Sequence, residues 1–120
     1  MKILRKKDVP RRENKKEIRY YYLLKENEII VTELPAHHEQ PWHTHKLIQE
    51  THYVMQGQIE VIEEGTKSFR ASEGDIIILQ PGKSHSVKNP SHSPAHIVTL
   101  KTVPTNRNYK KVFSEDKSLD

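Results

Sequence analysis

The chain has no cysteine, so neither a disulfide nor a thiolate ligand is open to it, and any metal held by its 120 residues must sit among nitrogen and oxygen donors. Long apolar runs are missing too. Nothing approaches the roughly 20 consecutive apolar residues of a membrane span, and the opening MKILRKKDVPRR is basic without the apolar stretch that a secretory signal needs. These absences lead to the expectation of a cytoplasmic protein. Apolar residues are only 33% of the chain against 30% charged, which excludes long buried helices and requires short patterned runs. A length of 120 residues allows one domain with a modest core.

The formal net charge of +4 is unevenly placed: residues 1–19 carry nine Lys or Arg against three acids, and the remainder carries 11 basic against 13 acidic residues. The basicity therefore belongs to a leader over residues 1–17. Such a segment suits a solvated, partly mobile end better than a nucleic-acid contact. From residue 18 the chain becomes a series of β-prone runs: IRYYYLL (18–24), EIIVTEL (28–34), THYVM (51–55), QIEVIE (58–63), KSFRA (67–71), DIIILQ (75–80), HSVK (85–88) and HIVTLK (96–101). No window repeats apolar residues at i, i+3, i+4 and i+7 as a helix would. Eight short strands within residues 18–102 predict an all-β sandwich or barrel, followed by an irregular tail over 103–120. Gly57 and Gly65 are each expected to turn a hairpin, and Pro81-Gly82 suits a type II turn.

The chemistry concentrates in PWHTHKLIQETHYVMQG and GDIIILQPGKSH. In an extended segment His43 and His45 share a face, about 7 Å apart along the strand, while Thr44 points away. Glu50 can re-enter the same pocket from the next strand, and His85 opens a strand just past the Pro-Gly turn. Three neutral imidazoles and one carboxylate suit a first-row divalent ion with positions left open. His52 shares the face of Glu50 and reads either as a proton shuttle, the candidate catalytic residue, or as a hydrogen-bonded core residue. His96 is a weaker candidate for the lumen. His37, His38 and His92 fall in loops and read as solvated, with His37 and His38 near the mouth. Trp42 and Tyr53 alternate away from the site, and Tyr20, Tyr21 and Tyr22 put aromatic surface on both faces of one strand.

These two stretches resemble the motifs of the cupin superfamily. His43, His45, Glu50 and Gly57 match the first motif, a His-x-His pair followed by a Glu and then a Gly. Gly74, Gly82, His85 and Asn89 fall at the spacings of the second, with Gln80 standing where that motif has a Pro. The resemblance spans about residues 20–102 and implies a double-stranded β-helix, or jelly-roll barrel, in a small single-domain member. It implies one divalent transition metal (Fe, Mn, Ni, Co, Zn or Cu) on His43, His45, Glu50 and His85. It also implies a metal-dependent enzyme acting on a small molecule, in the manner of a dioxygenase or an isomerase. The alternative is a small-ligand-binding or sensing module without catalysis. The family commonly forms homodimers, and the N-terminal strands are the expected contact.

Overall fold

In the computed structural model, which describes residues 1–103 and the backbone of 117–119, the β-branched and aromatic runs form strands, as such side chains favour on a pleated surface. These are β1 (Arg11–Asn14), β2 (Glu17–Leu23), β3 (Asn27–Leu34), β4 (His43–His45), β5 (Gln49–Gln56), β6 (Gln58–Glu63), β7 (Phe69–Ser72), β8 (Ile76–Leu79), β9 (Ser84–Lys88), β10 (Ala95–Thr102) and β11 (Lys117–Leu119). The helical content among the described residues is one short 3-10 turn, Lys6–Asp8. No helix there is long and apolar enough to cross a membrane. Two antiparallel sheets result, in the orders β1-β2-β3-β10-β5-β8 and β11-β4-β9-β6-β7, and after β3 the chain passes repeatedly from one sheet to the other. This is the expected all-β jelly-roll arrangement.

Register decides what faces inward. On β10, Ala95, Ile97, Thr99 and Lys101 lie across from Leu34, Thr32, Ile30 and Glu28 of β3, and Thr99 and Lys101 lie across from His52 and Glu50 of β5. Because side chains alternate at period two, these residues share the inner face. The interior therefore runs from apolar at Leu34 and Ala95 to polar at Glu28 and Lys101. Leu34, Val54, Ile59, Val61, Ala71, Leu79, Val87, Ala95 and Ile97 form the buried core. Each buried Leu, Ile or Val among them is worth roughly 1.5–3 kcal/mol relative to exposure.

Several expectations change. The basic segment is not a loose end: β1 pairs with β2 from Arg11↔Tyr20 to Asn14↔Glu17. The Lys6 ammonium lies 4.6 Å from the centre of the Tyr20 ring, and the Arg12 guanidinium lies 5.6 Å from that of Tyr21. Cation–π contact and strand pairing thus cover Tyr20 and Tyr21, and Tyr20, Tyr21 and Tyr22 are all half-buried. Gly65 does turn the β6–β7 hairpin, but Gly57 does not turn one, because β5 and β6 lie in different sheets. Gly57 has φ +83°, and a Cβ there would come within 3.1 Å of Ala95 Cα and of the Pro94 carbonyl oxygen. It is a crossing point that only glycine fits. Within the tail expected to be irregular, Lys117–Leu119 pair with β4; the rest of residues 104–120 lie outside the described residues.

Asn89, fully buried, ties the ends of this fold together. Its amide donates to the carbonyls of Leu34 at 3.1 Å and Ser93 at 2.8 Å, and its Oδ1 accepts from the Ser91 backbone N–H and hydroxyl, each at 3.0 Å. The motif position it occupies is structural, locking the β9–β10 loop onto the end of β3.

Candidate metal centre

β4 is three residues long, and its alternation buries His43 and His45 while Thr44 turns away to meet the Ser84 hydroxyl at 2.7 Å. β9 lies beside it with His85 directly across from His43, and Gly82, at φ +99°, lets the Pro81-Gly82 turn deliver that strand. The Gly82 N–H donates to the His45 carbonyl at 2.8 Å. Glu50 enters from β5 in the facing sheet. His45 Nε2 and His85 Nε2 each lie 3.1 Å from Glu50 Oε1, and His43 Nε2 lies 4.0 Å from it. All four residues are 3–6% exposed.

The donor set fits a divalent ion. Two ligands on one such ion, each at about 2.0–2.1 Å, stand about 3–3.5 Å apart, the spacing seen for two of these pairs. The donor atoms of His43, His45 and Glu50 lie within 4.8 Å of one another, an arrangement able to hold a metal. His85 Nε2 and Glu50 Oε1 approach closely, yet neither makes a hydrogen bond of acceptable geometry, and both are buried. Leaving a buried polar atom so costs about 1–3 kcal/mol, and an ion between the two would satisfy both. His43 Nδ1 lies 2.9 Å from the Pro41 carbonyl oxygen; a carbonyl only accepts, so Nδ1 carries the proton and Nε2 offers its lone pair to the centre.

Burial alone would raise the Glu50 carboxyl, but the facing imidazoles of His45 and His85, helped by His52, hold it well below the ordinary carboxylate range. Burial pushes His52 down, and the neighbouring cations Lys101 and Arg19 push it further against the pull of Glu50. His52 is therefore a neutral imidazole near pH 7. Its Nδ1 meets the Thr99 hydroxyl at 2.7 Å, while its Nε2 is buried with no hydrogen-bond partner. A cavity of about 30 Å³ adjoins the centre, lined by Arg19, Gln40, His52, Thr99 and Lys101 together with His43, His45 and Glu50.

The remaining histidines separate. His38, expected to be solvated, is instead half-buried, with Nε2 2.8 Å from Glu17 Oε2. His37 and His92 stay exposed in loops and meet each other at 2.9 Å. His96 faces outward, between inward Ala95 and Ile97, and does not reach the lumen. Trp42 and Tyr53 are exposed, as alternation predicts. Sequence reasoning missed Glu17, buried at 6% exposure, whose carboxylate accepts from Arg19 Nε at 2.7 Å and Gln40 Nε2 at 2.8 Å. The one signal for it was that Glu17 and Arg19, two apart on a strand, must share a face.

The cupin-domain family profile matches residues 30–101, more than half of the chain. The chain belongs to the cupin family. Among solved structures, this cupin resembles an uncharacterised double-stranded β-helix protein from Klebsiella pneumoniae (23% identity, TM-score 0.73, covering 99% of this chain and 96% of that one). It also resembles the cupin domain of Cnp3 from Schizosaccharomyces pombe (21%, 0.73, 88% and 76%). A third is a predicted oxalate decarboxylase from Thermotoga maritima (18%, 0.72, 85% and 99%). At these identities the likeness is one of fold. No curated protein sequence matches the cupin.

Proposed function

We propose that this cupin binds one divalent transition metal through His43, His45, Glu50 and His85 and is a metal-dependent enzyme acting on a small molecule, by oxidation or isomerisation. The observation that carries the reading is the convergence of three imidazole Nε2 atoms on one buried carboxylate oxygen, at 3.1, 3.1 and 4.0 Å. Structural neighbours described as a predicted oxalate decarboxylase and as a sugar phosphate isomerase accord with a catalytic role. When bound, a divalent ion supplies Lewis acidity to a substrate oxygen. Iron, manganese, nickel, cobalt, zinc and copper all accept this nitrogen and oxygen set. Glu50 contributes the one ligand charge, and the Pro41 carbonyl fixes the His43 tautomer. His52, held by Thr99, takes or gives a proton at Nε2.

Elemental analysis of protein purified without chelators tests this. His45→Ala should lower metal content more than tenfold, whereas His92→Ala, outside the centre, should leave it unchanged; equal content in both variants would refute the ligand assignment. His52→Ala should retain the metal.

The reading includes a cytoplasmic homodimer. The N-terminal strands are the contact expected from the sequence, and Tyr53, Met55, Ile76 and Ile78 on β5 and β8, exposed at 43–60%, form a second apolar surface open to pairing. A monomer in sedimentation at micromolar concentration would remove the dimer.

A further inference from the structure

We propose that the cavity beside the metal centre is a carboxylate site, in which Arg19 of β2 and Lys101 of β10 receive the acidic group of a small organic acid. The inference rests on the metal-centre reading for its full charge balance, but its two cations are placed independently of any ion. Both line the same cavity as His43, His45 and Glu50. Lys101 is the inward residue of β10 that lies in register with Glu50 on one side and Glu28 on the other. Among the described residues, neither carboxylate comes within ion-pair distance of its ammonium. Lys101 is half-buried, and since neither of these carboxylates cancels its charge by direct pairing, an acidic ligand entering the cavity would meet it.

Arg19 is held in a different way. Its Nε donates to Glu17 Oε1 at 2.7 Å, and Glu17 is itself fixed by Gln40 and His38, each at 2.8 Å. With Nε on Glu17 and Tyr21 also interacting with the guanidinium, the remaining N–H groups belong to a fork whose geometry matches a carboxylate. Glu17 therefore acts as a strut that aims Arg19 at the lumen while cancelling its charge.

Charge counting favours an anion. A divalent ion with Glu50 leaves one positive charge, Lys101 adds another, and Arg19 with Glu17 adds none. Even with Glu28 fully ionised the cavity keeps a net positive charge, and burial pushes the Glu28 carboxyl up, toward its neutral form. Size narrows the class further. A water needs about 10–15 Å³ of such space, so a cavity of about 30 Å³ has room for a small polar group beside an ion held by its ligands. The ligand is a short acid, or a longer one whose acidic end alone enters.

Calorimetric titration with malonate tests this, on protein of measured metal content and on the same protein after chelator treatment, with neutral malonamide and inorganic phosphate as controls. Wild-type protein should bind malonate in preference to both. Lys101→Met should weaken malonate at least tenfold with metal content unchanged. Arg19→Lys, which keeps the charge against Glu17 but loses the fork, should weaken it severalfold. Malonamide or phosphate binding as tightly as malonate would overturn the proposal, as would undiminished malonate affinity in the two variants. Metal-loaded protein that ignores malonate refutes the carboxylate site and spares the metal centre. Lys101-dependent malonate binding by protein that takes up no metal supports the site and refutes the metal reading alone.

Discussion

Replacing Glu17 by glutamine tests how the mouth of the lumen is held. The carboxylate accepts charge-assisted bonds from Arg19, Gln40 and His38 at 2.7–2.8 Å and is 6% exposed. Glutamine keeps the shape but removes the charge, and it turns one acceptor into a donor facing other donors. A hydrogen bond to a charged group is worth about 1.5–3 kcal/mol and a neutral one about 0.5–1.5. Three bonds each weakened by about 1–1.5 kcal/mol then amount to about 3–4.5 kcal/mol, a large part of the roughly 5–15 kcal/mol that stabilises a domain. At pH 7, urea unfolding should move to a midpoint lower by about 1–2 M. The pH dependence has a definite sign. Burial raises the Glu17 carboxyl, but Arg19, with Gln40 and His38, overrides this and holds it below its ordinary value of 4.5 in the folded chain. The unfolded chain thus takes up the proton first. The stabilisation is present above about pH 4.5 and is lost as pH falls through the lower folded value, so wild type and Glu17→Gln should converge in acid, below pH 4.5. A loss under about 0.5 kcal/mol at pH 7, or a gap that does not narrow in acid, would refute the reasoning.

Gly57→Ala should destabilise more than Gly65→Ala by thermal unfolding. Both need positive φ, but only at Gly57 does the new methyl meet backbone at 3.1 Å, and nothing lies within 4 Å at Gly65; about 1–2 kcal/mol is the cost of positive φ alone. Asn89→Ala, which orphans the Leu34 and Ser93 carbonyls and the Ser91 donors, should cost about 3 kcal/mol or more. Denaturant midpoints check it. Saturating divalent metal should raise the stability of wild-type protein by about 2.7 kcal/mol at a hundredfold excess over Kd, read as a shift in Tm, and should do so far less for His45→Ala.

Much of the fold was legible because burial follows alternation. EIIVTEL became β3, with Ile30, Thr32 and Leu34 turned inward, and His-x-His placed two imidazoles on one face without any need to know the partner strand. What could not be read depends on who lies opposite. The turn at Gly57 looks like a hairpin because the local sequence cannot say that β5 and β6 belong to different sheets. β1 is charged at every residue but Asn14, so its pairing is fixed by the tyrosines it covers and not by its own hydrophobicity. The carboxylate of Glu17 is bound by side chains 21 and 23 residues away. No local pattern records such a contact, and without it Arg19 reads as one more solvated cation.

The most direct measurement is anomalous diffraction from crystals of wild-type protein loaded with one equivalent of Mn(II) or Co(II). A single strong peak is expected within coordination distance, about 2.0–2.3 Å, of the Nε2 atoms of His43, His45 and His85 and of a Glu50 oxygen. A peak elsewhere, or none at these four side chains, would contradict it.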